Sequence, residues 1–315
     1  MLAATALAAL LATAMPQDPP VQDPAAQDPT ETRVEDIVVL GRPLDEAARD
    51  FVYSLTVPAR GRGLARWRDT VCVGVVNLRG EAAQYLVDVI STRAEDLGLE
   101  IGAPGCSPNV IITFADDGAG MARAMVEAEP AAFRVGGSGM DLGRAALQRF
   151  QEGDAPVRWW HMALPINSET GRIAVRIPGE TDNEGNPSAP TLSTFGSLLT
   201  TIVRDDLNKV IVVVDVDGVS HLTGPQLADY LAMVALAQID PRGDTSGFPT
   251  VLNVIDDPAS VNGMTDWDLA FLRGLYRDDR ALRRNPAVLA SGIASDLART
   301  LKAEPVNDDA EPASD

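Results

Sequence analysis

The most constraining feature of the sequence is the order of strand and helix patterns between residues 209 and 276. Residues 209–215 (KVIVVVD) form a continuous apolar, β-branched run, which predicts a strand buried on both faces. An almost entirely apolar helix is predicted at residues 226–236 (QLADYLAMVAL). Residues 250–253 (TVLN) and an amphipathic helix at 267–276 (WDLAFLRGLY) follow it. A central strand that leads into a buried helix predicts an α/β domain.

The preceding part of the chain predicts a βαβ unit. Residues 70–78 and 108–114 are apolar runs typical of buried strands. Between them, residues 81–97 have helical periodicity and end at Gly98, a residue that favours helix termination. Two strands joined by a helix pair in parallel through a right-handed crossover. Further strands are predicted at residues 157–162 and 172–177, so the fold class is α/β (α+β) with a mixed sheet and a helical C-terminal part.

This order of elements resembles the upper subdomain of metzincins, a branch of the zincin metallopeptidases. Their metal helix carries the pattern H-E-x-x-H-x-x-G-x-x-H, and a Met-turn follows it. When the pattern is aligned with this chain, its His, Glu, His, Gly and His positions are occupied by Gln226, Leu227, Tyr230, Met233 and Leu236, in that order. The resemblance implies a degenerate zincin-like fold without the zinc-binding motif, with Leu252 at the Met-turn position. The helix at 267–276 is also similar to one that ends uncharacterised bacterial envelope proteins.

The histidine content bears on catalysis. A catalytic zinc needs three protein ligands, usually including histidine, and the chain contains only His161 and His221. We therefore expect no zinc, no cofactor and no peptidase chemistry, and we interpret both residues as surface or hydrogen-bonded core histidines. The alternative is a hydrolase with a carboxylate and histidine metal site made of Asp215, Asp217, Asp229 and His221. Asp215 and Asp217 also fit an ordinary exit from a strand.

Three polar residues of the predicted helix form a candidate ligand-binding site. Gln226, Asp229 and Tyr230 have the spacing that places side chains on one side of a helix. The resemblance implies that Gln226 and Tyr230 face a groove bordered by an edge strand within residues 157–177, where an extended peptide adds to the strand. The alternative is that Asp229 pairs locally and Tyr230 fills the core.

Composition limits the partners. The chain has 315 residues, of which 45% are hydrophobic, and a formal net charge of −19. This charge repels polyanions, so nucleic-acid binding is not expected, whereas it favours a basic peptide over an acidic one. An envelope protein is a further possible partner.

The first residues of the chain predict an exported protein. Residues 1–14 are rich in Ala and Leu and end in Ala12-Thr13-Ala14, a pattern that signal peptidase accepts. A disordered Ala-rich leader is the alternative.

Residues 15–36 repeat Gln-Asp-Pro and predict a disordered spacer. The remaining predicted segments are an N-terminal strand and helix at 37–63, a globular domain at 64–302 and a disordered acidic tail at 303–315. No transmembrane segment is predicted, so the expected location is the periplasm or outside the cell.

Two cysteines, Cys72 and Cys106, fit an exported chain with one disulfide. Both lie beside strands that a βαβ unit makes neighbours, which favours their pairing. Free buried thiols are the alternative.

Overall fold

A mixed four-stranded sheet forms the centre of the fold, and helices cover both of its faces. The computed structural model describes residues 38–39, 42–56, 64–133, 140–175, 181, 185, 203–277 and 286–303, and the side chains of 38–39 and 286–290 are not described. All of these residues belong to one unit, Ile37–Asp315. The predicted leader, the spacer at 15–36 and the tail beyond residue 303 lie outside the described residues.

The described chain contains six strands and nine α-helices. The strands are β1 (Val38–Val39), β2 (Arg42–Pro43), β3 (Val73–Val76), β4 (Val110–Ala115), β5 (Val157–Asn167) and β6 (Val203–Asp215). The helices are α1 (Leu44–Leu55), α2 (Gly80–Asp96), α3 (Gly118–Ala128), α4 (Pro130–Phe133), α5 (Gly143–Glu152), α6 (Val216–Val219), α7 (Gly224–Leu236), α8 (Asp266–Tyr276) and α9 (Pro286–Ala303), with a 3-10 turn at Val251–Asn253. The predicted βαβ start is confirmed, since β3 and β4 are parallel and α2 connects them.

The sheet has the strand order β3-β4-β6-β5. Strands β3, β4 and β6 run parallel to one another, and β5 runs antiparallel to β6 at the end of the order. The register sets Trp159 opposite Val212, and a bulge separates Met162 from Ala163. Strand β5 is therefore an edge strand, and it lies within the segment 157–177 where the sequence predicts one.

Strand β6 is buried on both faces, as its uninterrupted apolar run predicts. Successive side chains of a strand point to opposite faces of the sheet. Val210, Val212 and Val214 pack in the larger core, which includes residues of α1, α2, α7, α8 and α9. Ile211 and Val213 pack in a smaller core with residues of α3 and α5. The chain thus buries two apolar layers against one sheet.

Helix α7 is enclosed on all sides within the larger core. The last carbonyl groups of a helix have no partner inside that helix and need outside donors when they are buried. Here the carbonyls of Val234, Ala235 and Leu236 accept hydrogen bonds, in that order, from His161 Nε2, Trp67 Nε1 and the Tyr276 hydroxyl. These bonds tie α7 to β5, to the segment before β3 and to α8.

The predicted Cys72–Cys106 disulfide is present. It joins the residue before β3 to the loop before β4, with Cα atoms 6.2 Å apart. Disulfides persist in oxidising compartments, so the bridge is compatible with an extracellular location. In the part of the chain that the structure describes, no helix is both long and apolar enough to cross a bilayer.

The structure corrects three expectations about single elements. Strand β3 is not buried, because it lies at the other edge of the sheet, where Val76 is 47% exposed. Only Ile173 of the predicted strand at 172–177 pairs among the described residues, through a single bridge to Ile166. The residues at 140–150 have a helical pattern in the sequence, but the helix begins only at Gly143, a residue with a positive φ of 81°.

Candidate functional site

A cleft of about 520 Å³ opens beside the first residues of edge strand β5. Its lining includes residues 153–160, which lead into β5 and form its first part. Side chains of α5 form one wall, and the other wall comes from Tyr230 of α7 together with residues 239–243, 245, 252, 255 and 256. Because α5 and α7 cover opposite faces of the sheet, the cleft lies across the sheet edge.

The backbone of β5 has groups without hydrogen-bond partners along this part of its outer edge. The amide of Asp215 donates to the carbonyl of Pro156 over 2.8 Å, so these two residues form a hydrogen-bonded pair. Such pairs alternate along an antiparallel ladder, so Val157 and Trp159 direct their N–H and C=O groups away from β6. No hydrogen bond within the described residues engages these outward groups. Val157 is only 1% exposed, whereas Trp159 is partly exposed, so it is at Trp159 that this edge can accept an added strand.

Beyond the bulge, the same edge is covered by the protein itself. The amide of Ala163 donates to the carbonyl of Met140 over 2.9 Å, and the amide of Ala174 donates to the carbonyl of Pro165 over 2.7 Å. The open backbone and the cleft thus coincide at the start of β5, where they form one continuous site.

Trp159 and Tyr230 form an aromatic wall of the cleft. Their ring centroids are 6.3 Å apart and their planes meet at 72°. The indole N–H of Trp159 donates to the carbonyl of Ile239 over 3.0 Å, which fixes the orientation of this ring. Tyr230 is only 4% exposed, and its hydroxyl makes no hydrogen bond with another described residue. That hydroxyl is available to a molecule in the cleft.

Burial raises the pKa of Tyr230, and the negative charge of Asp256 raises it further. The hydroxyl therefore keeps its proton at any physiological pH and can donate a hydrogen bond. Around the rings, apolar side chains complete both walls. On the side of α7 these are Leu55, Ile239, Leu252 and Ile255, and on the side of α5 they are Leu142, Ala146 and Phe150.

Charged side chains on the cleft differ in their pairing. Asp240 accepts two hydrogen bonds from Arg242, over 3.2 and 3.1 Å, so these charges offset each other. Asp256 is exposed and has no ion pair within the described residues. The α5 side of the cleft carries Arg149, Asp154 and Arg158. The carboxylate of Asp256 is thus the uncompensated charge on the described part of the aromatic side.

Gln226 holds a loop in place. Its amide nitrogen donates to the carbonyls of Pro258 and Val261, both over 2.7 Å, and its amide oxygen accepts from the backbone N–H and the hydroxyl of Thr223. Gln226 and Thr223 form the capping box of α7. Every hydrogen-bonding position of this side chain is engaged, and none is directed to the cleft.

Asp229 also links elements of the fold. Its carboxylate accepts hydrogen bonds from Arg93 of α2, over 3.0 and 3.3 Å, and from the amide of Met264 over 2.8 Å. Of the three residues that the sequence selects on this helix, Tyr230 is the one found among the described residues that line the cleft. The structure therefore separates Gln226 and Asp229 from Tyr230.

The residues of the alternative metal site are engaged separately. Asp215 caps α6 by accepting from the amide of Gly218 and also accepts from the amide of Gly118. A ring nitrogen of His221 pairs with the carbonyl of Ile255 over 3.1 Å. Within the described residues, no three side chains of His, Cys, Asp or Glu are grouped so as to hold a metal ion. In the described part of the chain, Asp215, Asp217, Asp229 and His221 are thus not gathered into one group of three or more.

The segment at the Met-turn position packs through a buried carboxylate. Asp268 accepts hydrogen bonds from the Thr250 hydroxyl over 2.5 Å, from the Val251 amide over 2.9 Å and from Thr265. Burial raises the pKa of Asp268, whereas these donors act to lower it. The network anchors the 3-10 turn to α8 and so positions Leu252 at the cleft.

Two functional candidates are missed by reasoning from the sequence. The pattern indicates Trp159 only as core or edge packing, and Asp256 only as part of a solvated turn. The structure brings them together with Tyr230 across more than 90 residues of chain. The sequence feature that points to Trp159 is its place as a large aromatic residue on a strand that the resemblance implies to be an edge strand.

Comparison with protein-family models, with curated proteins and with solved structures finds no match to this chain.

Proposed function

We propose that the chain is an exported, zincin-like binding module that holds an extended peptide along the open edge of β5. The observation that carries the proposal is the coincidence of the cleft with the outward backbone groups of Val157 and Trp159. A peptide that adds a strand gains main-chain hydrogen bonds there, while the two walls receive its alternating side chains.

The arrangement around the cleft supports the zincin-like part of the proposal. An antiparallel edge strand lies next to β6, and β6 leads through α6 into the buried helix α7. Tyr230, at the position of the second histidine in the metzincin pattern, lines the cleft beside that edge. In a zinc peptidase this juxtaposition brings the metal to a substrate strand. In this chain the same arrangement places the hydroxyl-bearing Tyr230 beside the edge strand.

Export is supported by the leader pattern at residues 1–14 and by the disulfide. The periplasm or the cell exterior is therefore the proposed location, with a peptide segment of an envelope protein as one source of the ligand. The hydrolase alternative requires about one bound cation per chain, which elemental analysis of the purified protein measures directly.

Binding is tested with a set of blocked seven-residue peptides, Gly-Thr-Val-X-Val-Thr-Gly, in which X is lysine, norleucine or glutamate. Each is titrated into the full, disulfide-bonded chain. We expect at least one member to bind with saturable stoichiometry of one peptide per chain.

N-methylation supplies the control for backbone pairing. Methyl groups are placed either on the amide of X or on those of the two valines. Because only alternate amides of an added strand face its neighbour, one of the two methylated peptides loses binding and the other keeps it. Failure of all three parent peptides to bind, or equal binding of both methylated forms, contradicts the proposed function.

A further inference from the structure

The cleft has a distinct subsite on the α7 side, formed by Trp159, Tyr230 and Asp256, which we call the anchor subsite. Its two rings meet nearly edge to face at 6.3 Å. The carboxylate of Asp256 lies on the same wall and is exposed to solvent. Aromatic faces next to a free carboxylate form a surface that attracts a cation carried on an apolar stem.

The charges around the subsite favour this choice. Arg242, the cation on the same side, is held by both oxygens of Asp240. Asp256 has no such partner in the described part of the chain. A lysine or arginine side chain in the subsite supplies the missing positive charge and lays its methylene groups against Trp159. An acidic peptide side chain in the same place is repelled by Asp256, and no positive charge offsets this repulsion in the described part of the subsite.

The geometry of a paired strand determines which wall the neighbouring residues of the peptide contact. A peptide residue opposite Trp159 points its side chain to the same face of the sheet as Trp159, towards the anchor subsite. Its two neighbours point to the other face, where Leu142, Ala146 and Phe150 form the apolar part of the α5 wall, beside the charged Arg149, Asp154 and Arg158. An apolar residue on each side of the anchor therefore matches that wall.

We infer that the cleft selects an extended peptide with a lysine or arginine in the anchor subsite and an apolar residue on either side of it. This inference rests on the proposed function, because it assumes that the peptide pairs with β5. It adds the class of ligand, a basic residue between two apolar residues, that the edge strand alone does not specify.

The net charge of −19 attracts any basic peptide at long range, so the test separates the local carboxylate from the overall field. Asp256→Asn removes the carboxylate of the subsite. Asp257→Asn is the matched control, since it removes the same charge from the next residue, which is also exposed and is not part of the cleft lining. The asparagine also keeps an oxygen for the hydrogen bond that Asp257 accepts from the Ala259 amide.

The peptides with lysine, norleucine and glutamate at X are titrated into the three proteins at 0.15 M salt. We expect the lysine peptide to bind about tenfold more tightly than the norleucine peptide, as a partly screened ion pair and a cation–π contact imply. Asp256→Asn should weaken the lysine peptide about fivefold and leave the norleucine peptide within twofold. Asp257→Asn should change neither by more than about twofold.

The outcomes distinguish the two levels of the proposal. If the norleucine peptide binds as tightly as the lysine peptide, and binding still depends on one set of backbone amides, the basic anchor is wrong and the edge-strand function stands. Equal losses for Asp256→Asn and Asp257→Asn also overturn the anchor, since they assign the preference to the overall charge. If no peptide binds, the proposed function itself fails.

Discussion

The ring of Trp159 on β5 meets the ring of Tyr230 on α7 nearly edge to face, with 6.3 Å between the centroids. This contact joins the edge strand to the buried helix at the wall of the cleft. It also gives Tyr230 two roles, because the ring packs in the core while the hydroxyl faces the cleft. A substitution that removes the whole ring therefore cannot separate binding from packing.

The hydroxyl of Tyr230 is tested with Tyr230→Phe, which keeps the ring. We expect the free energy of unfolding to change by less than about 0.5 kcal/mol, since no hydrogen bond with a described residue is lost. Affinity for the lysine peptide should fall about threefold to tenfold, the usual value of one hydrogen bond. Tyr230→Ala should instead cost roughly 3–5 kcal/mol of stability because it empties a buried volume. Unchanged affinity in Tyr230→Phe would show that the hydroxyl does not contact the peptide.

The structural role of Asp229 predicts the opposite pattern. Asp229→Ala removes the acceptor for Arg93 and for the Met264 amide, and it should cost about 2 kcal/mol of unfolding free energy by urea denaturation. Peptide affinity should stay within twofold. Asp88→Ala on the exposed face of α2 is the control and should cost less than about 0.5 kcal/mol. A loss of peptide affinity in a stable Asp229→Ala protein would instead support Asp229 as a ligand-binding residue.

Burial of His161 predicts a pH dependence of stability. Burial lowers its pKa to about 4, and its Nε2–H donates to the carbonyl of Val234. In the unfolded chain a histidine has a pKa of about 6.5. Between these values the unfolded state binds the additional proton, so the unfolding free energy falls as the pH drops from about 6.5 to 4. The contribution of this residue is about 3 kcal/mol over that range.

His161→Gln isolates this effect, because glutamine retains a donor for Val234 and does not bind a proton in this range. Its unfolding free energy should depend less steeply on pH than that of the wild type. An identical slope in wild type and His161→Gln would show that His161 is not the buried neutral group described here.

The Cys72–Cys106 bridge closes a sequence separation of 34 residues. Alkylation of the denatured chain without reductant should label neither cysteine. The double variant Cys72→Ser, Cys106→Ser should lose roughly 3–4 kcal/mol of unfolding free energy, because its unfolded state is no longer restricted by the cross-link. Two labelled cysteines in protein recovered from an oxidising compartment would contradict the prediction.

Local patterns in the sequence were sufficient for several elements. The helix predicted within residues 37–63 is α1, and the apolar run at 209–215 belongs to the central strand β6. Each of these rests on neighbouring residues, where periodicity carries the information. The disulfide follows from the same logic, since a βαβ unit makes two consecutive strands neighbours.

The cleft depends on contacts that local patterns do not contain. Trp159, Tyr230 and Asp256 lie on three separate elements, and only the packing of α7 against β5 brings them together. The apolar run of a strand likewise does not predict whether that strand lies at the centre or at the edge of its sheet. This is why β3 reads as a buried strand but lies at an edge. Helical spacing placed Gln226 beside Tyr230 without showing that a loop engages all of its hydrogen bonds.

The central claim is that a peptide pairs with the outer edge of β5. Amide hydrogen exchange, resolved by residue, measures it with and without the saturating lysine peptide. Pairing at this edge predicts slower exchange at the amide of Trp159, and little change at Ala163, whose amide already donates to Met140. Bound peptide with unchanged exchange at Trp159 would contradict the pairing.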